Sequence, residues 1–263
     1  MTTVDGESLA CDLLILVATS TEVKQLKTVA RELDLPFRRR NAGSLVGEYF
    51  SIGQVGDFLV NAVRSNMGPF SHGGSASRAI LCQQATGATA LIQLGMAFGV
   101  DRARQSIGDV LVSSAVLPYD DRDARDENDD YVFDYKRVRR HSAKASLLAL
   151  FRDEERRGKF DQQIHVGELL SGAARVFSRN FLKELMSQVP GVSDGIVGGE
   201  MEGVGLLSVS PRAEPLWIVI KGICDFADDQ RDVEIKETRP VACRNSAMFV
   251  LRGLQNASQT RRD

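Results

Sequence analysis

The sequence is poor in the features that mark secretion, metal binding and membrane insertion. Its 263 residues include four cysteines, Cys11, Cys82, Cys224 and Cys243, far apart and without a CxxC pair. That spacing argues against a disulfide framework or a zinc ribbon and fits reduced thiols. Histidine occurs three times, scattered at positions 72, 141 and 165, so no metal site is expected. No secretory signal pattern is read, and no apolar run approaches the ~20 residues of a membrane span. A soluble, cytoplasmic protein is the expectation. The net charge of -2 gives no global pull toward nucleic acid or an acidic membrane. Neither GxGxxG nor GxxxxGK[ST] occurs, which removes the dinucleotide and P-loop readings.

What is there is an alternation of buried runs and amphipathic stretches. "CDLLILVA" (11–18) is continuously apolar, as a strand covered on both faces would be. "TSTEVKQLKTVARELDL" follows with Val23, Leu26, Val29, Ala30 and Leu33 at helical spacing. "EYFSIGQ" and "DFLVNAVRS" read as a strand pair turning at Gly56. A glycine-rich segment then enters a helix ending near residue 86. "TALIQLGMAFG", "GDVLVSSAVL", "QIHVGELLSG", "DGIVGGEM" and "PLWIVIKG" read as further strands. "ARVFSRNFLKELMSQV", "EGVGLLSV" and "PVACRNSAMFVLRGLQ" read as helices. The pattern predicts one α/β domain over 11–256, after a disordered lead-in (1–10) and before a polar tail (257–263). The acidic-then-basic run "YDDRDARDENDDYVFDYKRVRRH" (119–141) lacks EF-hand spacing and reads as a solvated insertion.

Four places at strand carboxyl ends carry candidate chemistry, which is where open α/β sheets gather ligands. Glu22 lies three residues after Thr19, so it is either a capping-box residue or a group facing a cleft. The turn "LGMAFG" brings Gly95, Met96 and Ala97 to a point where a ligand could approach the backbone, although glycines there more often serve packing. In "GGEMEG", Glu200 and Glu202 flank Met201, and two such carboxylates need a cation or a polar ligand if buried. In "KGICDFADD", Asp225 follows a strand, with Gly222 permitting an abrupt change of direction. A turn residue or N-cap is the plain alternative.

Those segments, in order over most of residues 12–255, resemble the nucleoside phosphorylase superfamily. "ATSTEV", "QLGMAFG", "LLSGAARV", "GGEMEGVGLL" and "VIKGICDFADD" carry the resemblance, and it is closest to the hydrolytic methylthioadenosine/S-adenosylhomocysteine nucleosidases. The resemblance implies a three-layer αβα domain with a central mixed, partly barrel-like sheet, in a homodimer or larger oligomer. It implies that Asp225 protonates or hydrogen-bonds purine N7, that Glu202 grips the ribose hydroxyls with Met201 against the sugar, and that Glu22 orients and deprotonates the attacking water. Val176 falls where the purine is contacted. The set is chemically coherent, because an oxocarbenium-like state needs an acid at the base, carboxylates near the sugar and a positioned water.

Departures from the family pattern refine this. Lys221 stands where Arg is common, and Cys224 replaces a Ser beside the acid. Gln93 and Met96 occupy places where phosphorylases hold phosphate. Neither is a cation, which favours water as nucleophile. Arg175 stands where an aromatic often stacks on the base, and could stack or meet an anion. Arg78 and His72 lie in a glycine-rich loop that could receive a phosphate. The resulting expectation is a purine nucleoside or nucleotide N-ribohydrolase using no metal and no organic cofactor, with no nucleic-acid partner. The rivals are a phosphate-dependent phosphorylase and a catalytically silent sensing module, since the superfamily also supplies sensor and effector domains in signalling and antiviral systems.

Overall fold

The computed structural model describes residues 3–4, 7–158, 160–190, 195–209 and 214–257. In chain order the first elements are β1 (Thr3–Val4), β2 (Glu7–Ser8), β3 (Leu13–Val17), α1 (Ser20–Glu32), β4 (Arg38–Asn41), α2 (Gly43–Val46), β5 (Glu48–Val55), β6 (Phe58–Arg64), α3 (Ser75–Thr86) and β7 (Ala90–Gly99). Then come β8 (Val110–Pro118), β9 (Asp123–Glu127), β10 (Asp130–Asp134), β11 (His141–Ser142), α4 (Ala145–Arg156), β12 (Ile164–Ser171) and α5 (Arg179–Gln188). The last described elements are β13 (Ile196–Glu200), a 3-10 segment (Gly203–Val209), β14 (Trp217–Asp225) and α6 (Arg231–Ala257).

The apolar runs become the central strands because both of their faces are covered. Every residue of β3, β8 and β14 is buried. The main sheet runs β11-β8-β12-β13-β7-β3-β6-β5-β4, and β14 pairs with both β7 and β8. That double pairing closes β8, β12, β13, β7 and β14 into a five-stranded barrel, while β3, β6, β5 and β4 extend from β7 as an open wing. The sheet is mixed: β14 runs parallel to β7 and antiparallel to β8. Helix α6 lies on β14 and touches α1 and α4. The mixed, partly barrel-like α/β sheet that the family resemblance implies is thus present.

Four expectations need correcting or placing. Gly222 does not turn the chain, since β14 continues through it to Asp225. Its missing side chain instead admits α6, because a Cβ there would overlap the carbonyl of Ala242. In the segment expected as a lead-in, β1 pairs with β2 and Leu9 is buried in the core. The polar tail beyond Ala257 lies outside the described residues. The 119–141 run is exposed over 123–131, but Tyr119, Tyr135 and Val138 are buried in a second core cluster, and the run is built: β9 and β10 pair through Asn128 and Asp129, both with positive φ (52° and 64°), the backbone a tight hairpin turn requires. Among the described residues, no helix is long and apolar enough to cross a membrane.

Candidate active site

The carboxyl ends of β3, β7, β13 and β14 open on one cleft. It is lined by Glu22, Met96, Ala97, Arg175, Val176, Glu200, Met201, Glu202 and Asp225 among others. Nine of the eleven candidate site residues therefore converge. The other two, Gly95 and Arg78, do not reach it.

Glu22 fulfils both of its readings. Thr19 accepts from the Glu22 backbone N–H at 3.2 Å, and Glu22 Oε2 accepts from the backbone of Thr19 at 2.7 Å, a complete capping box. The same oxygen accepts from Ala18 N–H at 2.6 Å, while Oε1 accepts from Met96 N–H at 3.2 Å on β7. Burial pushes the carboxyl above its usual range. Lys221 opposes that shift, the Glu202 charge adds to it, and the two amides oppose it. Gly95 is the reason this fits: its φ is 151°, and a Cβ there would overlap Glu22 Oε1. Its role lies behind Glu22 rather than against a ligand.

Glu200 and Glu202 share Lys221, which is wholly buried within β14. Lys221 Nζ is 2.9 Å from Glu202 Oε2 and 3.4 Å from Glu200 Oε2. Burial alone would lower the ammonium, but Glu202, Glu200 and Glu22 together hold it above its ordinary value. Glu200 also accepts from the backbone N–H groups of Glu202 and Gly203 at 2.9 Å, so it mainly shapes the turn after β13. Glu202 Oε1 accepts from Gly68 N–H at 3.1 Å, and its carbonyl accepts from Ser75 at 2.6 Å. The loop before α3 is thereby tied to the cleft. The strand-embedded lysine was the sequence signal for this pair, since a buried ammonium requires carboxylates.

Asp225 ends β14 with only 3% of its surface exposed. Its Oδ1 accepts from Ala227 N–H at 2.9 Å, and Oδ2 receives the Cys224 thiol at 3.2 Å and lies 3.3 Å from Arg231 Nε. Burial raises the carboxyl above the normal aspartate range, against the pull of the Ala227 amide and Arg231. Ala227 carries φ 54°, an unfavourable backbone for a non-glycine residue, and this turns its N–H toward the acid. Arg231 went unrecognised in the sequence because it lies in a polar helix start. Nearby, Asp228 binds Arg102 at 2.9 Å and Arg179 at 2.8 Å, fixing the loop after β14.

Arg175 lines the cleft with its guanidinium 5.6 Å from the Phe177 ring centre. Arg78 corrects an expectation. Its Nε donates to the Arg64 carbonyl at 3.1 Å and its Nη1 to that of Val46 at 2.8 Å, so it braces the open wing outside the cleft. His72 is exposed and its carbonyl accepts from Asn66. Gln93 is buried without lining the cleft, and both atoms of its amide lack a partner. Among the described residues, no group of three His, Cys, Asp or Glu side chains could hold a metal ion.

A family model described as the phosphorylase superfamily matches residues 12–255. The chain belongs to the phosphorylase superfamily. Solved structures of this superfamily fold include the 5'-methylthioadenosine/S-adenosylhomocysteine nucleosidase of Neisseria meningitidis, with a TM-score of 0.73 at 17% identity. That match covers 93% of this chain and 98% of the other. The Streptococcus pneumoniae nucleosidase matches with a TM-score of 0.72 at 20% identity, over 92% of this chain and 98% of that one. Futalosine hydrolase of Helicobacter pylori matches at 0.71 and 17%, over 93% and 97%. A curated relative, the death domain-containing ATP nucleosidase of Amphimedon queenslandica, is 27% identical over 185 residues, which is 63% of this chain. This superfamily member spans only 33% of that relative's length.

Proposed function

We propose that the chain hydrolyses the N-ribosidic bond of a purine nucleoside or nucleotide, releasing the free base. The observation that carries this is Glu22, a buried carboxylate with a raised pKa, held at the cleft wall against the backbone of β7. A buried carboxylate at that position can take a proton from a water poised in the cleft. In the reaction, water attacks C1′ and gives a proton to Glu22, while the C1′–N bond breaks and Asp225 protonates the departing purine. Glu202 accepts from the ribose hydroxyls, with Lys221 balancing its charge and Met201 against the sugar. Val176, Ala97 and Phe98 supply apolar contact for the base. The relatives named for nucleosidase or hydrolase activity support this reading.

A cytoplasmic homodimer or larger assembly is part of the same reading. Four buried thiols suit a reducing compartment. Met67, which lines the cleft, and Phe70, 51% and 70% exposed, offer apolar surface to a second copy.

Product analysis tests the chemistry. Base release from adenosine, inosine, AMP and ATP is followed by chromatography with and without added phosphate, for wild type and Glu22→Gln. Phosphate-independent release of base and free ribose or its 5′-phosphates, abolished in Glu22→Gln, is the expected outcome. Ribose 1-phosphate formed only with added phosphate would establish the phosphorylase instead. Tight binding without any product would establish a sensing module.

A further inference from the structure

We propose that Arg239 receives the 5′-phosphate chain of the substrate, making 5′-phosphorylated purine nucleotides the ligands this cleft prefers. The proposal rests on the hydrolytic reading above and adds the residue that selects the 5′ substituent. Three arginines line the cleft, Arg175, Arg231 and Arg239. Arg231 is engaged with Asp225 and lies 4.6 Å from the Phe177 ring centre, and Arg175 lies over the same ring. Arg239 differs. Its Nε is buried with no hydrogen-bond partner.

A buried guanidinium N–H without an acceptor is costly, so such groups in native proteins need an explanation. A phosphate supplies the acceptors a planar guanidinium fits best, two at a time. Placement along α6 says which part of a ligand would bring them. Ile235, Arg239, Ala242 and Cys243 share one face of the helix by their spacing. Ile235 packs with Cys224, Ala242 and Met96. Ser246, further along the same face, donates to the carbonyl of Gly95 at 2.9 Å, the residue against which Glu22 rests. Arg239 therefore stands on the Glu22 flank of the cleft. It lies two helical turns past Arg231, about 12 Å along the axis, and Arg231 marks the base end. With the base at Asp225 and the ribose at Glu202, the 5′ substituent extends toward this flank. Met96 and Ile235 would equally suit an alkylthio group, but that ligand leaves the Arg239 N–H unpartnered.

Calorimetry on the Asp225→Asn protein, expected to hold ligand while base release is slowed ~10²-fold or more, reads the affinities of adenosine, AMP and ATP directly. AMP and ATP are expected to bind more tightly than adenosine. Arg239→Gln should lower the nucleotide-to-adenosine affinity ratio ~10-fold or more, the scale of a lost charge-assisted pair, and Arg239→Lys should restore part of it. No preference for AMP over adenosine, or a ratio that moves less than about threefold, overturns the proposal. So does adenosine turnover that depends on added phosphate and is lost in Arg239→Gln. If Arg239→Gln does not melt cooperatively, the Lys variant alone decides, because a point charge without the fork should still lower the ratio. Arg239-dependent nucleotide binding with no base released would refute hydrolysis and leave this assignment standing. Base released from adenosine with no Arg239-dependent preference would do the reverse.

Discussion

Asp225 is held by opposing influences: burial favours its neutral form, while Arg231 and the Ala227 amide favour its charged form, and burial prevails. A folded-state pKa raised above the unfolded 3.8 means that the folded chain binds more protons between the two values. Stability from this group is therefore lost as pH rises from the unfolded value through the folded one. Asp225→Asn removes that loss, so its melting temperature relative to wild type should climb across the same window. Base release should fall ~10²-fold or more, the usual scale of general acid catalysis. Melting curves against pH and chromatographic rates check both, and a variant that loses relative stability as pH rises would refute the burial account. Much of this site was legible from residue types. Carboxylates beyond buried strands, in family-like segments, identified Glu22, Glu202 and Asp225. Arg78 misled because a cation in a glycine-rich loop looks available, whereas its donors are taken by carbonyls 14 and 32 residues away in sequence. Arg231 and Arg239 were invisible for the complementary reason, since only tertiary placement of α6 turns them to the cleft.

The join between β14 and α6 depends on an atom that is absent. Gly222 lies where the backbone of Ala242 comes within the space of a side chain, so the helix rests directly on the strand. Gly222→Ala should force α6 outward and cost ~1–3 kcal/mol, the usual scale of overpacking. Urea denaturation measures this, and a midpoint equal to wild type would show that the helix shifts freely. Because α6 carries Arg231, Ile235 and Arg239, the same variant should also weaken ligand binding. At this scale the sequence showed the covered strands clearly, since continuous apolar runs mark them. It did not show α4: Leu147, Phe151 and Glu154 are its buried residues, a narrow stripe whose second half is a charged run. The β9–β10 hairpin was hidden by charge, though Asn128 and Asp129 are suitable turn residues.

Across the whole molecule all four cysteines are buried. Burial is the chief cause raising each thiol, to about 11 for Cys11 and well above the normal value for Cys224. The thiolate is the reactive form. The native protein should therefore resist a thiol-specific reagent at pH 8 and yield four equivalents in denaturant. Rapid reaction of one thiol before unfolding would contradict this, and Cys224, which lines the cleft, is the position to inspect. The five-stranded closure has a further consequence for how the protein comes into being. The strand that completes the ring, β14, is the last strand among the described residues and pairs with partners more than a hundred residues earlier. Such distant pairings form slowly, after the loops between them have been gathered. That strand also brings Lys221 and Asp225. During synthesis, a chain that has emerged only as far as residue 216 would hold Glu22, Glu200 and Glu202 without their cation and without the acid. On the proposed chemistry, nascent protein would be unable to act on a ligand until the ring shuts, and assembly itself would act as the safety catch.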